Sequence, residues 1–246
     1  MSDVFINSFT GYLNNTDGKK LTGTALLEEL APYKNGLLLD VGAGRGELST
    51  CLAPFFKRVV SVEPKGPLAK IIRDHFVDNI EVAESTIQDF QCGDLFDVVL
   101  LSYFLDSFSV EETNTVMKKI TGLKKPDGTM LGVTYYPNCS WDRYTQAVCE
   151  DLGIERKGGF HRVSSRLERL NYSCKIRRTV QTGIYGKSPE DLYYNLSFFF
   201  KSKLNIYLKK KEEFMKILNK YSELRNGMYC LNVEEVIFEI TAPALK

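Results

Sequence analysis

Leu37-Leu-Leu-Asp-Val-Gly-Ala-Gly-Arg-Gly-Glu-Leu48 decides the fold. An apolar run ends in an acid, a glycine turn follows, and a helical pattern starts behind it. That order describes a buried strand entering a helix through a turn with room for a ligand. The glycines at 42, 44 and 46 give the spacing G-x-G-x-G. The dinucleotide fingerprint, G-x-G-x-x-G, needs glycine at 47, where this chain has Glu47. The turn therefore points away from NAD and toward another adenosine compound.

Working outward, strands alternate with helices. Leu37–Val41 is the first strand, with a helix over 47–55 behind it. Arg58–Val62 is the second strand, ending at Glu63-Pro64, and a helix over 65–76 carries Leu68, Ile71, Ile72 and Phe76 on one face. Asn79–Ala83, Phe96–Leu101 and Thr129–Tyr135 are the next three strands, with a helix over 110–120 and a Pro126-Asp127-Gly128 turn between the last two. This rhythm means βαβ units and a parallel sheet. The expected fold is α/β, a seven-stranded, mostly parallel Rossmann-like sheet between helical layers, with added helices on the substrate side.

The flanks read differently. Val4, Phe5, Phe9, Tyr12 and Leu13 have helical spacing, and Thr22 is placed to cap a second helix that turns Leu26, Leu27 and Leu30 inward. Beyond Pro137, helices are expected over 140–151, 164–170 (capped by Ser164 or Ser165), 189–200 and 209–221. Strands are expected at Cys174–Thr182 and Leu231–Ile240. The expected organisation is a single domain over 1–246: a helical cap at 1–31, a cofactor-binding core at 37–136, helices over the substrate site at 137–230 with one core strand near 174–182, and a last strand at 231–241.

The 32 basic and 31 acidic residues give a net charge of +1, so no global field draws the protein to nucleic acid or anionic membrane. The six cysteines form no C-x-x-C pair and there are two histidines, which argues against zinc. No leader peptide and no membrane-length apolar run is read, and a reducing cytoplasm is the expected compartment.

Three pieces fall at the carboxyl ends of successive strands, where open α/β sheets bind ligands. Gly42, Ala43 and Gly44 follow Asp40 in the first turn. Glu63, followed by Pro64, ends the second strand and offers a carboxylate for a ribose diol. Glu84-Ser-Thr-Ile-Gln-Asp89 follows the third, where Ser85 and Thr86 present polar groups to an adenine edge or simply cap a short helix. Together they describe a pocket for an adenosine whose tail carries an amino acid.

With the end of the fourth strand, Leu100-Leu-Ser-Tyr-Phe-Leu-Asp106, the pattern resembles the class I S-adenosylmethionine-dependent methyltransferases. The resemblance implies S-adenosylmethionine as cofactor, with Leu101 and Ser102 joining the residues above around it, and a closing strand pair. More of the chain resembles the histamine N-methyltransferase family: Ser8-Phe9 with Tyr12-Leu-Asn-Asn-Thr16, Val62-Glu-Pro64, Ser140-Trp-Asp-Arg143, 164–182 and Leu231-Asn-Val233. That resemblance implies an acid after the N-terminal turn, where Asp17 and Gly18 stand, and an Asn-Asn contact, where Asn232 and Val233 stand. The family's glutamine after the fourth strand is Ser102 here.

A sulfonium methyl is already activated, so alignment and an unprotonated nucleophile are the main requirements, and no catalytic motif is obligatory. Candidates on the acceptor side are Tyr12, Asp17, Tyr103, Asp106, Tyr136, Trp141, Tyr194 and Asn232, with Asp106, Tyr12 or His161 as a base. For any one tyrosine, packing in the added helices is the competing role, and for His161 an exposed loop. The expected activity is methyl transfer to a small-molecule amine by a monomer, without nucleic acid or membrane. The rival readings are an RNA or protein methyltransferase, a small-molecule O-methyltransferase and a non-catalytic binding module. The Asn-Leu-Pro-Tyr motif of RNA adenine dimethylases is replaced here by Ser102-Tyr-Phe-Leu.

Overall fold

Five apolar runs become five parallel strands, because a strand covered on both faces must be apolar throughout. In the computed structural model, which describes residues 3–156 and 158–243, they are β1 (Leu37–Val41), β2 (Arg58–Val62), β3 (Ile80–Ala83), β4 (Phe96–Ser102) and β5 (Lys124–Tyr135). Side chains of residues 3–8 and 107 lie outside the description, so the inward roles expected of Val4 and Phe5, and the matched Ser8, do too. The β1–β2, β2–β3, β1–β4 and β4–β5 pairs are all parallel.

The helices follow in order: α1 (Asp3–Asn14), α2 (Gly18–Glu29), α3 (Glu47–Leu52), α4 (Gly66–Asp74), α5 (Val110–Thr121), α6 (Ser140–Leu152), α7 (Phe160–Arg169), α8 (Pro189–Asn195), α9 (Leu204–Lys209) and α10 (Lys211–Tyr221). Three further strands are β6 (Ser173–Gly186), β7 (Glu223–Arg225) and β8 (Met228–Thr241). The sheet order is β3-β2-β1-β4-β5-β8-β6, with β7 paired antiparallel to β8. The α/β Rossmann-like expectation holds, and the strands expected at Cys174–Thr182 and Leu231–Ile240 are present as β6 and β8, adjacent in the sheet. The expected seven strands are eight among the described residues. The added one, β7, is a three-residue arm folded back through Asn226 and Gly227, both at positive φ.

Several boundaries shift for tertiary reasons. Thr22 does not cap α2; it is buried inside the helix. The helix starts a turn earlier, where Leu21 N–H donates to the Asp17 carbonyl (3.0 Å). Ser164 is likewise interior to α7, which begins after Gly159. Over 189–200 the α-helix stops at Asn195 and a 3-10 segment, Leu196–Lys203, continues.

Two compact units divide the chain. One comprises Met1–Leu21, Tyr136–Arg156 and Gln181–Glu235, and the other Thr22–Tyr135, Lys157–Val180 and Val236–Lys246. The second unit, the sheet unit, has its core where Leu26, Leu30, Leu48 and Leu52 pack with the β1, β2, β4 and β5 residues Leu38, Val59, Val98 and Leu131. The first, the helical unit, is built on an aromatic stack. Tyr193 and Tyr207 lie face to face with centroids 4.5 Å apart, and Phe200 stacks on Tyr207 at 4.6 Å. Their hydroxyls find partners inside the stack: Tyr144 and Tyr207 bond each other (2.9 Å), and Tyr193 donates to the Tyr207 carbonyl (2.5 Å).

Candidate active site

The strand register aligns the ends that matter. Val41 pairs with Val62 and Val62 with Ala83, so the glycine turn, Glu63 and the 84–89 segment leave the sheet side by side. Gly42, Gly44 and Gly46 all have positive φ (73°, 63° and 79°), a conformation that L residues adopt only at a cost. Gly42 is doubly constrained, since a Cβ there would come within 2.6 Å of the Phe104 ring.

Glu63 is the centre of the arrangement. It is 4% exposed, and its two oxygens accept from backbone: Oε2 from Gly44 N–H (2.9 Å) and Oε1 from Lys65 N–H (3.0 Å). Burial raises its pKa above the ordinary glutamate value, and the Lys65 and Gly44 bonds pull it part of the way back. A carboxylate fixed in this way keeps lone pairs for two more donors. At the end of β3, Ser85 Oγ is buried without a hydrogen-bond partner. A fixed carboxylate, an unsatisfied hydroxyl and a glycine-rich turn together fit a nucleoside.

The other expected cofactor residues divide. Asp40 is 2% exposed and accepts from Ser49 Oγ (2.6 Å), which in turn accepts from Ser61 Oγ (2.8 Å). It holds α3 against the sheet rather than opening to a ligand. Gly42 and Ala43 give their N–H groups to the Val62 carbonyl (2.8 and 3.2 Å), so they offer space and not donors. Pro64 is exposed, and Thr86 is tied into a turn with Asp89 (2.7 Å). Leu101 is buried and Ser102 half-buried at the end of β4.

Of the residues expected on the acceptor side, Tyr103 and Asp106 lie in the sheet unit, together with Tyr135. Tyr103 has φ +53°, rare for a bulky residue, while its N–H continues the ladder to the Val133 carbonyl (2.7 Å). Its ring lies 6.3 Å from that of Tyr135. Asp106 accepts from Thr134 Oγ1 at both oxygens (2.9 and 3.2 Å). Gly158 closes on both: a Cβ there would reach 2.5 Å from the Tyr135 hydroxyl and 3.0 Å from the Asp106 carboxyl carbon. His161 is exposed on α7.

In the helical unit Tyr12 and Trp141 are joined through Phe199, at 5.0 and 5.2 Å. Tyr136 starts this unit's second segment, its N–H donating to the Glu234 carbonyl (2.6 Å). The remaining candidates are engaged structurally. Both Asp17 oxygens are taken, by Gly183 N–H (2.7 Å) and Tyr185 OH (2.6 Å), which anchor residues 15–17 to β6. Burial, with Asp17 beside it, pushes the Tyr185 phenol up to about 12. Asn232 donates to Glu223 (3.1 Å) and accepts from Arg225 within the β7–β8 hairpin. Tyr194 is 51% exposed, with Lys211 over its ring. Sequence reasoning passed over Phe104, which packs on Gly42, and Phe199, which lies between Tyr12 and Trp141.

A cavity of about 460 Å³ opens at the other end of the strands, by Leu37, Arg58 and Glu81. Its Arg58 already pairs with Glu81 and Asp94. It lies at the opposite strand ends from the glycine turn and Glu63.

Residues 39–132, from the middle of β1 into β5, match the methyltransferase domain family. This segment is an S-adenosylmethionine-dependent methyltransferase domain. An uncharacterized methyltransferase of Bacillus velezensis is 23% identical over 149 residues, 60% of this chain and 67% of that protein. The fold of the methyltransferase resembles a structure of a methyltransferase from Bacillus halodurans (TM-score 0.60, 18% identity, 89% of this chain and 98% of that one). It also resembles an N-methyltransferase from Bradyrhizobium japonicum in complex with S-adenosyl-L-homocysteine (TM-score 0.52, 15% identity, 89% and 85%). The fixed Glu63 and the buried Ser85 hydroxyl are the residues of this methyltransferase that fit its S-adenosylmethionine cofactor.

Proposed function

We propose that the protein methylates a small-molecule amine, as a cytoplasmic monomer that uses neither nucleic acid nor a membrane. The carrying observation is Glu63, pre-set by two backbone N–H groups to accept the ribose hydroxyls. Ser85 faces the adenine, and the glycine turn leaves space for the tail. When bound, S-adenosylmethionine supplies a methyl whose C–S bond breaks, with its electron pair going to sulfur, as the N–C bond forms and the nitrogen gives up a proton to solvent. The chain's own contribution is placement. Asp106, steadied by Thr134, offers a carboxylate for the acceptor N–H groups, and Tyr103 and Tyr135 offer ring faces and hydroxyls. Positioning of this kind supplies much of the acceleration in two-substrate transfers.

The amine reading is supported by the resemblance to the histamine N-methyltransferase family. Asp17 and Asn232 are spent on structure, so histamine itself is not favoured. The net charge of +1 supports a small acceptor over RNA. Among the described residues no helix is long and apolar enough to cross a membrane.

Isothermal titration with S-adenosylhomocysteine tests the reading, and absence of binding ends it. Glu63→Ala is expected to weaken binding by about tenfold or more, the loss of two hydrogen bonds to a charged group. A screen of amines, phenols and carboxylic acids for S-adenosylhomocysteine release then decides the acceptor. Release with phenols alone would overturn the amine assignment.

A further inference from the structure

The turn after β4 carries much of the site, and its own bonding is weak. Phe104 sets its ring against Gly42, and Asp106 follows two residues later. A short 3-10 turn, Leu105–Ser107, leads on toward α5. Its closing bond, from Phe108 N–H to the Leu105 carbonyl, is long at 3.4 Å. Tyr103, with φ +53°, stands just before it. A turn so placed needs a hold from outside.

Arg166 supplies it from α7. Its Nη2 donates to the Leu105 carbonyl (2.5 Å) and its Nη1 to the Phe108 carbonyl. The planar fork thus spans the turn, with one carbonyl on each side of Asp106. Phe108 in turn meets Phe104 edge-on, centroids 5.0 Å apart. The line Arg166, Phe108, Phe104, Gly42 is continuous and lies wholly within the sheet unit. It carries a cost. Arg166 Nε is buried without a hydrogen-bond partner, and burial pulls the guanidinium pKa down, with the charge of Asp106 the chief offset. A methionine would fill the space without that cost, so packing alone does not call for an arginine here.

We propose that Arg166 is a positioning residue for methyl transfer: by clasping the 105–108 turn it keeps Phe104 against the glycine turn and fixes where Asp106 stands. The proposal rests on the placement of S-adenosylmethionine at the glycine turn and Glu63. It goes beyond that placement because α7 lies outside the family-matched segment 39–132. Charge-assisted bonds to two carbonyls hold backbone rather than one side chain, so the hold reaches both ends of the turn. Without it Phe104 is free to leave Gly42, and the cofactor must order the glycine turn as it binds, which costs affinity.

The full-length wild type, Arg166→Met and Arg166→Lys are titrated with S-adenosylhomocysteine and followed by hydrogen exchange, at a temperature where urea unfolding shows each to be folded. Arg166→Met should weaken S-adenosylhomocysteine severalfold and speed exchange at the amides of 103–108 well before those of β1 and β4. Arg166→Lys, which keeps the charge but not the planar fork, should fall between Arg166→Met and the wild type in both readings. Phe104→Leu should weaken binding in the wild type and add little in Arg166→Met, since both act through one line of contacts. Unchanged affinity in a folded Arg166→Met, full additivity with Phe104→Leu, or exchange raised evenly across the sheet unit overturns the proposal. Arg166→Lys against the wild type gives the same two readings if Arg166→Met fails to fold. No S-adenosylhomocysteine binding by the wild type would sink the cofactor reading, and exchange raised only at 103–108 in Arg166→Met would still establish the clasp.

Discussion

At the scale of single residues, the buried Glu63 makes stability, and in the proposed binding mode cofactor affinity, depend on pH with a definite sign. Its folded pKa is raised, chiefly by burial. Between the ordinary glutamate value and that raised value, the folded protein binds a proton that the unfolded chain releases, so this group's contribution to stability falls as pH rises through the window. In the proposed binding mode cofactor affinity runs the other way, because only an ionised Glu63 accepts from both ribose hydroxyls. S-adenosylhomocysteine affinity, titrated from about pH 8 down to about pH 5, should fall as Glu63 takes up its proton, and Glu63→Gln should flatten the profile. An unchanged slope in that variant would assign the titration to another group. Gly42→Ala is expected to be worse tolerated than a surface change. Positive φ and the Phe104 contact together should cost about 1–3 kcal/mol, read in urea unfolding. Both residues were legible in the sequence because their chemistry is local, a turn and a strand end. The structural role of Asp17 was not, because its partners, Gly183 and Tyr185, lie far along the chain, and that of Asn232 was not, because it depends on pairing with the three-residue β7, a strand too short to read from the sequence.

At the scale of elements, β5 shows how a turn signal and a strand coexist. Pro126-Asp127-Gly128 reads as a turn before the strand, yet the strand starts at Lys124. The register explains it: Phe96 pairs with Lys124 but Val98 with Thr129, so the strand bulges outward between. Lys124 Nζ donates into the bulge, to the carbonyls of Lys125 (2.6 Å) and Gly128 (3.0 Å). The proline and glycine were read correctly as punctuation. The ladder resuming on both sides is a long-range fact that no window of sequence contains. Further along β5, Gly132 lies under Phe238 of β8, where a Cβ would approach the ring to 2.2 Å. Gly132→Ala should therefore destabilise by about 1–3 kcal/mol through overpacking. Phe238→Leu in the same background should recover part of that loss, a coupling that a double-mutant cycle in urea reads directly.

At the scale of the whole molecule, homology and folding draw different boundaries. The family match covers 39–132, within the continuous segment Thr22–Tyr135 of the sheet unit. That segment alone lacks Lys157–Val180 and Val236–Lys246, which belong to the same unit. It would leave β5 as an edge, since its neighbour in the sheet is β8. Gly132 would lose Phe238, and α2 would lose the Arg178 pairs to Glu28 and Glu29. A long apolar edge strand with nothing beside it invites association with other chains. The sequence showed the alternation up to Tyr135, and with it a segment that looks self-sufficient; only the sheet order shows that strands from the far end of the chain complete it. A 22–135 fragment should therefore give no cooperative thermal transition and no S-adenosylhomocysteine-induced stabilisation. The full chain at about a hundred times the dissociation constant should gain about 2.7 kcal/mol. A fragment that melts cooperatively and shifts with the ligand would show that β1 to β5 fold and bind without β8, and that the closing strands serve the acceptor alone.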